Sequence, residues 1–242
     1  MIGTYRFAEW NVQIDSLHPE VHDYCVAYRT DAAPDFCVKT TEEEIRRERE
    51  LSAEENAREG ISVIEYSDGY LEELAVYRQI AERMPSMDTI LFHGSVIAVD
   101  GEAYIFTAKS GTGKSTHTRL WRQHFGDRAV MVNDDKPLIR ITGDGAIAYG
   151  TPYNGKHRLG APISAPVKAI CILERDRTNH IEPISKSDAF MQLIQQTYRP
   201  QNGYTMAKTL QLLDRLASSV KLYRLGCNMD PEAAIVSYQG MQ

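Results

Sequence analysis

Residues 110–116 read Ser-Gly-Thr-Gly-Lys-Ser-Thr, which sets two glycines one residue apart directly before a lysine and two hydroxyl side chains. That combination suits the holding of a phosphate chain. Gly111 and Gly113 allow a tight turn that presents successive backbone N–H groups to phosphate oxygens. A helix starting at the lysine would aim its positive dipole end at the same anion. Lys114 adds a mobile positive charge for β- and γ-phosphates, and Ser115 a hydroxyl suited to Mg²⁺, a hard cation that takes oxygen ligands. Ser110, Thr112 and Thr116 complete the expected cradle.

The second chemical signal is Asp134-Asp135, which closes the apolar run Ala129-Val130-Met131-Val132 after Asn133. Adjacent residues at a strand end point in different directions, so one carboxylate can face Mg²⁺ and the other an acceptor hydroxyl. Phosphoryl transfer needs that division. The alternative for one of them is a turn aspartate capping the next segment, which Lys136-Pro137 invites. Lys156 and Arg158, in the turn-rich loop Tyr149–Gly160, are candidates to close over the γ-phosphate or to read an acidic acceptor, weighed against plain surface charge.

These groups meet only if the elements around them place them together. The apolar run 103–108 predicts a strand entering the glycine loop, residues 115–125 a helix ended by Gly126, and residues 129–132 a buried strand. If that helix crosses between parallel strands, the loop and the aspartates share one sheet edge. Strands are also expected over 90–99, 167–173 and 220–225, with Asp100-Gly101 as a hairpin turn. A second hairpin turns at Gly143-Asp144-Gly145, and helices are expected at 187–197, at 204–218 and from Pro231. The fold class is α/β or α+β, a mixed sheet with flanking helices around a P-loop.

Residues 1–88 read as a small α+β extension, and 89–242 as the nucleotide-binding domain. Tyr5, Phe7, Trp10, Val12 and Ile14 alternate like strand residues across a break at Ala8-Glu9. Thr41-x-x-Glu44 forms a capping box pattern. It opens the stretch Glu42–Glu59, where eight Glu and four Arg supply −4 of the chain's net −6. An acidic docking surface and a solvated segment laced with ion pairs both fit that composition, and the second is favoured. Leu71, Leu74, Tyr77, Ile80, Ala81 and Met84 recur at helical spacing and stop at Pro85.

With 27 basic and 33 acidic residues in 242, the chain offers no broad electrostatic footprint for nucleic acid or an anionic membrane. No stretch is apolar enough to span a bilayer, and the N-terminus lacks the pattern of a signal peptide, so a cytoplasmic protein is expected. Cys25, Cys37, Cys171 and Cys227 are scattered without metal-ligand spacing and are expected as thiols.

The stretch FHGSVIAVDGEAYIFTAKSGTGKSTHTRLW, followed by VNDDKPLI, resembles the catalytic domain of HPr kinase/phosphorylase. It is most similar to the shorter bacterial proteins described as HPr-kinase-related, in the wider phosphoenolpyruvate-carboxykinase-like nucleotide-binding fold. The resemblance covers about residues 88–175. The family loop G-x-S-G-x-G-K-S is matched at Ser110, Gly111, Gly113, Lys114 and Ser115, with Ala108 in place of its first glycine. Alanine resists positive φ, so this loop is expected to leave its strand by a different path from an ordinary P-loop. The family's His-Gly pair matches His93-Gly94, and its aspartates match Asp134-Asp135.

The resemblance implies ATP-dependent phosphorylation of a hydroxyl, with Lys114 on the phosphates and Ser115 and Asp134 toward Mg²⁺. It makes Asp135 the base toward the acceptor and sets His93 near the transferred phosphate. The resemblance alone admits a homo-oligomer. The E-[IV]-R-G signature that accompanies phosphorylase activity is absent, as is the long N-terminal domain of the bifunctional enzymes. HPr is therefore a doubtful acceptor, and an unidentified protein, peptide or small molecule is expected. Two other functions compete: an ATP-binding regulatory module that transfers no phosphate, and a small carboxykinase-type enzyme, for which the chain leaves little room.

Overall fold

The computed structural model describes residues 1–59, 64–155 and 157–242. The chain divides into two compact units, Met1–Arg83 and Met84–Gln242.

In the first unit, β1 (Ile2–Phe7) and β2 (Trp10–Asp15) form an antiparallel hairpin, and β3 (Phe36–Lys39) pairs with β2 in parallel. The expected break at Ala8-Glu9 is the hairpin turn, with both residues at positive φ. The short helix α1 (Glu20–Tyr24) precedes β3, and α2 (Glu42–Glu59) and α3 (Asp68–Arg83) follow it. The capping box forms: Glu44 accepts from the Thr41 amide at 2.9 Å, and the Thr41 hydroxyl accepts from the Glu44 amide. The acidic helix is not wholly solvated. Glu48 is buried and held by two bonds from the Arg78 guanidinium, at 2.8 and 2.7 Å.

The second unit is one mixed sheet covered on both faces. Its strands are β4 (Thr89–Leu91), β5 (Ser95–Val99), β6 (Glu102–Thr107), β7 (Ala129–Asn133), β8 (Leu138–Ile141), β9 (Ala146–Tyr149), β10 (Ser164–Arg175), β11 (His180–Pro183) and β12 (Lys221–Cys227). The order is β4-β8-β9-β10-β6-β5-β7, and β12 joins β10 and β11. Strand β10 runs well beyond the expected 167–173, because its first residues pair with β9 and the rest with β6 and β12.

One face is covered by α5 (Lys186–Gln195) and α6 (Gly203–Ser219), whose Leu193, Leu212, Leu213 and Leu216 pack with Ile105, Ile139 and Ile170. The other is covered by α4 (Lys114–Phe125) and α7 (Glu232–Gly240), with Trp121 and Phe125 against Tyr104, Phe106 and Ala234. The even distribution of fully buried aliphatic and aromatic side chains on both faces is what makes the sheet centre nearly continuous in apolar residues.

Two expectations are corrected. The run 90–99 is not one strand: it breaks at Phe92–Gly94, so that β4 pairs with β8 and β5 with β6. The run 129–132 is not fully buried, since β7 is the edge strand of the sheet and Val130 is 46 % exposed. No disulfide links the cysteines, and Cys25 and Cys171 are buried. Among the described residues no helix is long and apolar enough to cross a membrane.

Candidate active site

The sheet order decides which groups meet. Strands β6 and β7 both run antiparallel to β5, which lies between them, so the two are parallel to one another and end at the same edge. That edge receives the loop 108–113 from β6, the start of β5 with His93 before it, and Asp134 and Asp135 from β7.

The loop passes directly into α4. Gly111 and Gly113 have φ of +75° and +127°, a backbone path that L side chains rarely take, while a Cβ at either position would meet nothing within 4 Å. The backbone path itself therefore calls for glycine at both positions. Ala108 is buried and has no positive φ, so alanine is unstrained there, and its carbonyl accepts from Lys114 Nζ at 3.2 Å. Two carbonyls of the loop, those of Gly111 and Thr112, are held by the Arg175 guanidinium at the end of β10. Arg175 thereby braces the loop, and the Thr112 amide closes its turn on the Lys109 carbonyl at 3.2 Å.

Lys114 is 8 % exposed. Burial lowers its pKa, and the charges of Asp135 and then Asp134 oppose that fall. Asp134 is buried, with Oδ1 accepting from the Ser95 hydroxyl at 2.7 Å. Ser95 also shares a 3.1 Å bond with Thr118 Oγ1, which bonds back to the carbonyls of Lys114 and Ser115. Asp134 is thereby tied to the first turn of α4.

Asp135 points elsewhere. Its Oδ1 lies 3.3 Å from His93 Nε2, and its Oδ2 lies 3.6 Å from Lys136 Nζ. An ionised carboxylate only accepts, so a hydrogen bond between the two requires the proton on Nε2. Burial pushes the Asp135 pKa up, but the His93 bond, with the Lys136, His93 and Lys114 charges, holds it below the usual value. Neither aspartate caps the turn. That role falls to Asn133, whose Oδ1 accepts from the amides of Asp135 and Lys136, both at 2.8 Å. Both carboxylates are thus left to other work.

The structure brings Lys114, His93, Asp134 and Asp135 together beside the loop. Ser115 is exposed at the helix start, and its hydroxyl has no partner among the described residues. Ser110 is exposed as well, and Thr112 and Thr116 are half-buried. The loop after β9 folds back onto the carboxylates: a Cβ on Gly155 would sit 3.6 Å from Asp134 Oδ2 and from Asp135 Cβ. Arg158 is exposed, at positive φ, with its amide bonded to the Gly155 carbonyl at 2.7 Å. Lys156 lies outside the described residues.

Sequence reasoning missed Ser95, Thr118, Lys136 and Arg175. Only Asn133, in Asn-Asp-Asp-Lys-Pro, carried a local signal, that of an Asx turn. The oxygen set fits Mg²⁺: Asp134 Oδ2 has no hydrogen-bond partner among the described residues, and the Ser115 hydroxyl is likewise open. Hard oxygen donors few in number leave room for phosphate oxygens and water in an octahedral shell.

The family model described as "SynChlorMet cassette protein ScmC" matches residues 70–229. The HPr(Ser) kinase/phosphatase from Coxiella burnetii is a distant structural likeness, with a TM-score of 0.34 and 9% identity over 62% of this chain and 94% of that one. No curated protein sequence matches the chain.

Proposed function

We propose, for this chain, which belongs to the ScmC family, that it binds ATP with Mg²⁺ on the loop 108–116 and transfers the γ-phosphate to a hydroxyl. One observation carries this reading: a buried lysine at the start of α4 follows a glycine loop at the same sheet edge to which another strand brings two carboxylates.

In this reading the loop amides and Lys114 hold the β- and γ-phosphates, and Ser115 and Asp134 are the side chains that would hold Mg²⁺, which supplies charge neutralisation on the phosphate oxygens. Asp135, ionised at neutral pH, accepts a hydrogen bond from the acceptor hydroxyl and orients it in line. The acceptor oxygen forms a bond to γ-phosphorus, and the bond from γ-phosphorus to the bridging oxygen breaks. The electron pair leaves on the ADP β-phosphate, and the hydroxyl proton goes to Asp135. His93 fixes the Asp135 carboxylate, and Lys136 offsets the local negative charge. The acceptor is a protein, a peptide or a small molecule.

The test is calorimetric binding of ATP with and without Mg²⁺, followed in the same samples by transfer of labelled phosphate to a cell lysate. Mg²⁺-dependent binding with a labelled acceptor supports the kinase. Binding with no transfer on prolonged incubation moves the function to a nucleotide-binding regulatory module, and no binding removes both.

A further inference from the structure

The turn that carries both aspartates is held from two sides, and one support is a side chain that no local pattern marks. Three successive carbonyls along it each have a donor. The Asp135 carbonyl accepts from the Gly94 amide at 3.0 Å, and the Pro137 carbonyl from the Phe92 amide at 3.1 Å. Both donors flank His93, so the connector between β4 and β5 fixes the turn on the side of the imidazole. The Lys136 carbonyl between them accepts from the Thr151 hydroxyl at 2.9 Å.

Thr151 opens the loop after β9, 18 residues from Asn133, and both residues are fully buried. Asn133 Nδ2 donates to the Thr151 hydroxyl oxygen at 2.9 Å and to its carbonyl at 3.2 Å. Only a carboxamide turned with Nδ2 toward Thr151 presents Oδ1 to the Asp135 and Lys136 amides. The Thr151 hydroxyl therefore accepts once and donates once, closing a ring through Asn133 and Lys136. Valine has nearly the same shape and can do neither. Without the hydroxyl the Lys136 carbonyl loses its donor, and Asn133 Nδ2 keeps only the Thr151 carbonyl. Among the described residues Thr151 makes no hydrogen bond to the glycine loop or to Lys114.

We propose that Thr151 is a positioning residue whose hydroxyl, acting through Asn133 and the Lys136 carbonyl, aims the Asp135 carboxylate at the acceptor hydroxyl. This rests on the proposed phosphoryl transfer. Aim matters to transfer and not to the holding of nucleotide, so the two part company when the hydroxyl is removed.

The test sets Thr151→Val and Thr151→Ser beside the wild type in two measurements. The first is hydrogen exchange of backbone amides without ligand. In the valine variant the Asp135 and Lys136 amides are expected to exchange at least about 10-fold faster, while those of Leu212 and Leu213 in α6 stay within about 2-fold. The second compares Mg²⁺-ATP affinity by calorimetry with the rate of labelled-phosphate transfer to a cell lysate at saturating ATP. The valine variant is expected to bind ATP within about 3-fold of wild type and to transfer at least about 10-fold more slowly. Serine keeps the hydroxyl and is expected to bring both readings within about 3-fold of wild type. Unchanged exchange at Asp135 and Lys136, equal acceleration in α6, an unchanged transfer rate, or equal losses with valine and serine overturn the positioning role and leave the kinase reading standing. A wild type that binds ATP and transfers nothing overturns both. Thr151→Ala carries the same test if the valine variant does not fold.

Discussion

His93 Nε2 stands 3.3 Å from Asp135 Oδ1 and holds that carboxylate below its usual range, although the two residues belong to separate strand ends of the sheet edge. Removing the imidazole removes the largest influence that lowers the pKa. A base must be ionised to accept a proton, so the acid limb of transfer activity lies at low pH in the wild type. In His93→Ala it is expected to move to higher pH, with ATP affinity at pH 8 within about 3-fold of wild type. Asp135→Asn is expected to bind ATP and to lose transfer by about 100-fold or more at every pH. A pH–rate series on the three proteins checks this, and an unshifted limb in His93→Ala removes the coupling.

Lys114→Met should weaken ATP binding by about 10- to 100-fold, the worth of a charge-assisted contact. The same variant relieves the burial of an ammonium, so its unfolding midpoint should not fall. Calorimetry and urea titration together separate a lost contact from a lost fold.

Ser95→Ala leaves Asp134 Oδ1 buried without its donor and cuts the link to Thr118. The expected cost is about 1–3 kcal/mol in urea unfolding. A Ser95→Thr replacement, which keeps the hydroxyl, should lose less than the alanine variant. Equal losses would assign the effect to packing.

Gly150 has no room for a side chain: a Cβ there would lie 1.9 Å from the Ala161 carbonyl oxygen and 2.6 Å from that of Val132. These are backbone atoms that cannot swing away. Gly150→Ala is expected to displace the loop that sets Gly155 over the aspartates, with at least about 1–3 kcal/mol lost in unfolding and a drop in transfer. Unfolding titration and the transfer assay read both.

His117 is buried in α4. Its Nε2 lies 3.0 Å from Ser237 Oγ and accepts from Trp121 Nε1 at 3.1 Å. Burial lowers its pKa to about 3. The unfolded chain takes up that proton near pH 6.5 and the folded one does not, so this contribution to stability is whole above pH 6.5 and falls steadily down to about pH 3. The slope from this group is about 1.4 kcal/mol per pH unit. Urea midpoints from pH 7 to 4 should fall less steeply in His117→Gln than in the wild type.

Much of the second unit was legible because its signals are local. Asp100-Gly101 marked a turn whose two residues both have positive φ, and α4, α6 and α7 followed from periodicity, capping and Pro231. Partner choice was not legible. That β5 lies between β6 and β7, and that one strand serves β9, β6 and β12 in turn, depends on packing between distant segments, to which a pattern of alternation is blind. The site divides in the same way: Lys114 and the aspartates stood out by type and spacing, whereas Ser95, Thr118 and Arg175 matter only through where the sheet carries them. Ser and Arg at such positions look ordinary until a neighbour is known.

The bond from Ser95 to Asp134 spans 39 residues, with the whole of β6, the glycine loop and α4 between its ends. A ribosome that has released the chain only as far as Phe125 has therefore made a complete glycine loop without either carboxylate. Closing the site waits for β7 to dock on β5, a contact with a loop-closure entropy that local helix formation does not have. Nucleotide capture in this reading comes late in folding, and it stabilises the assembled sheet rather than the segment that carries the loop.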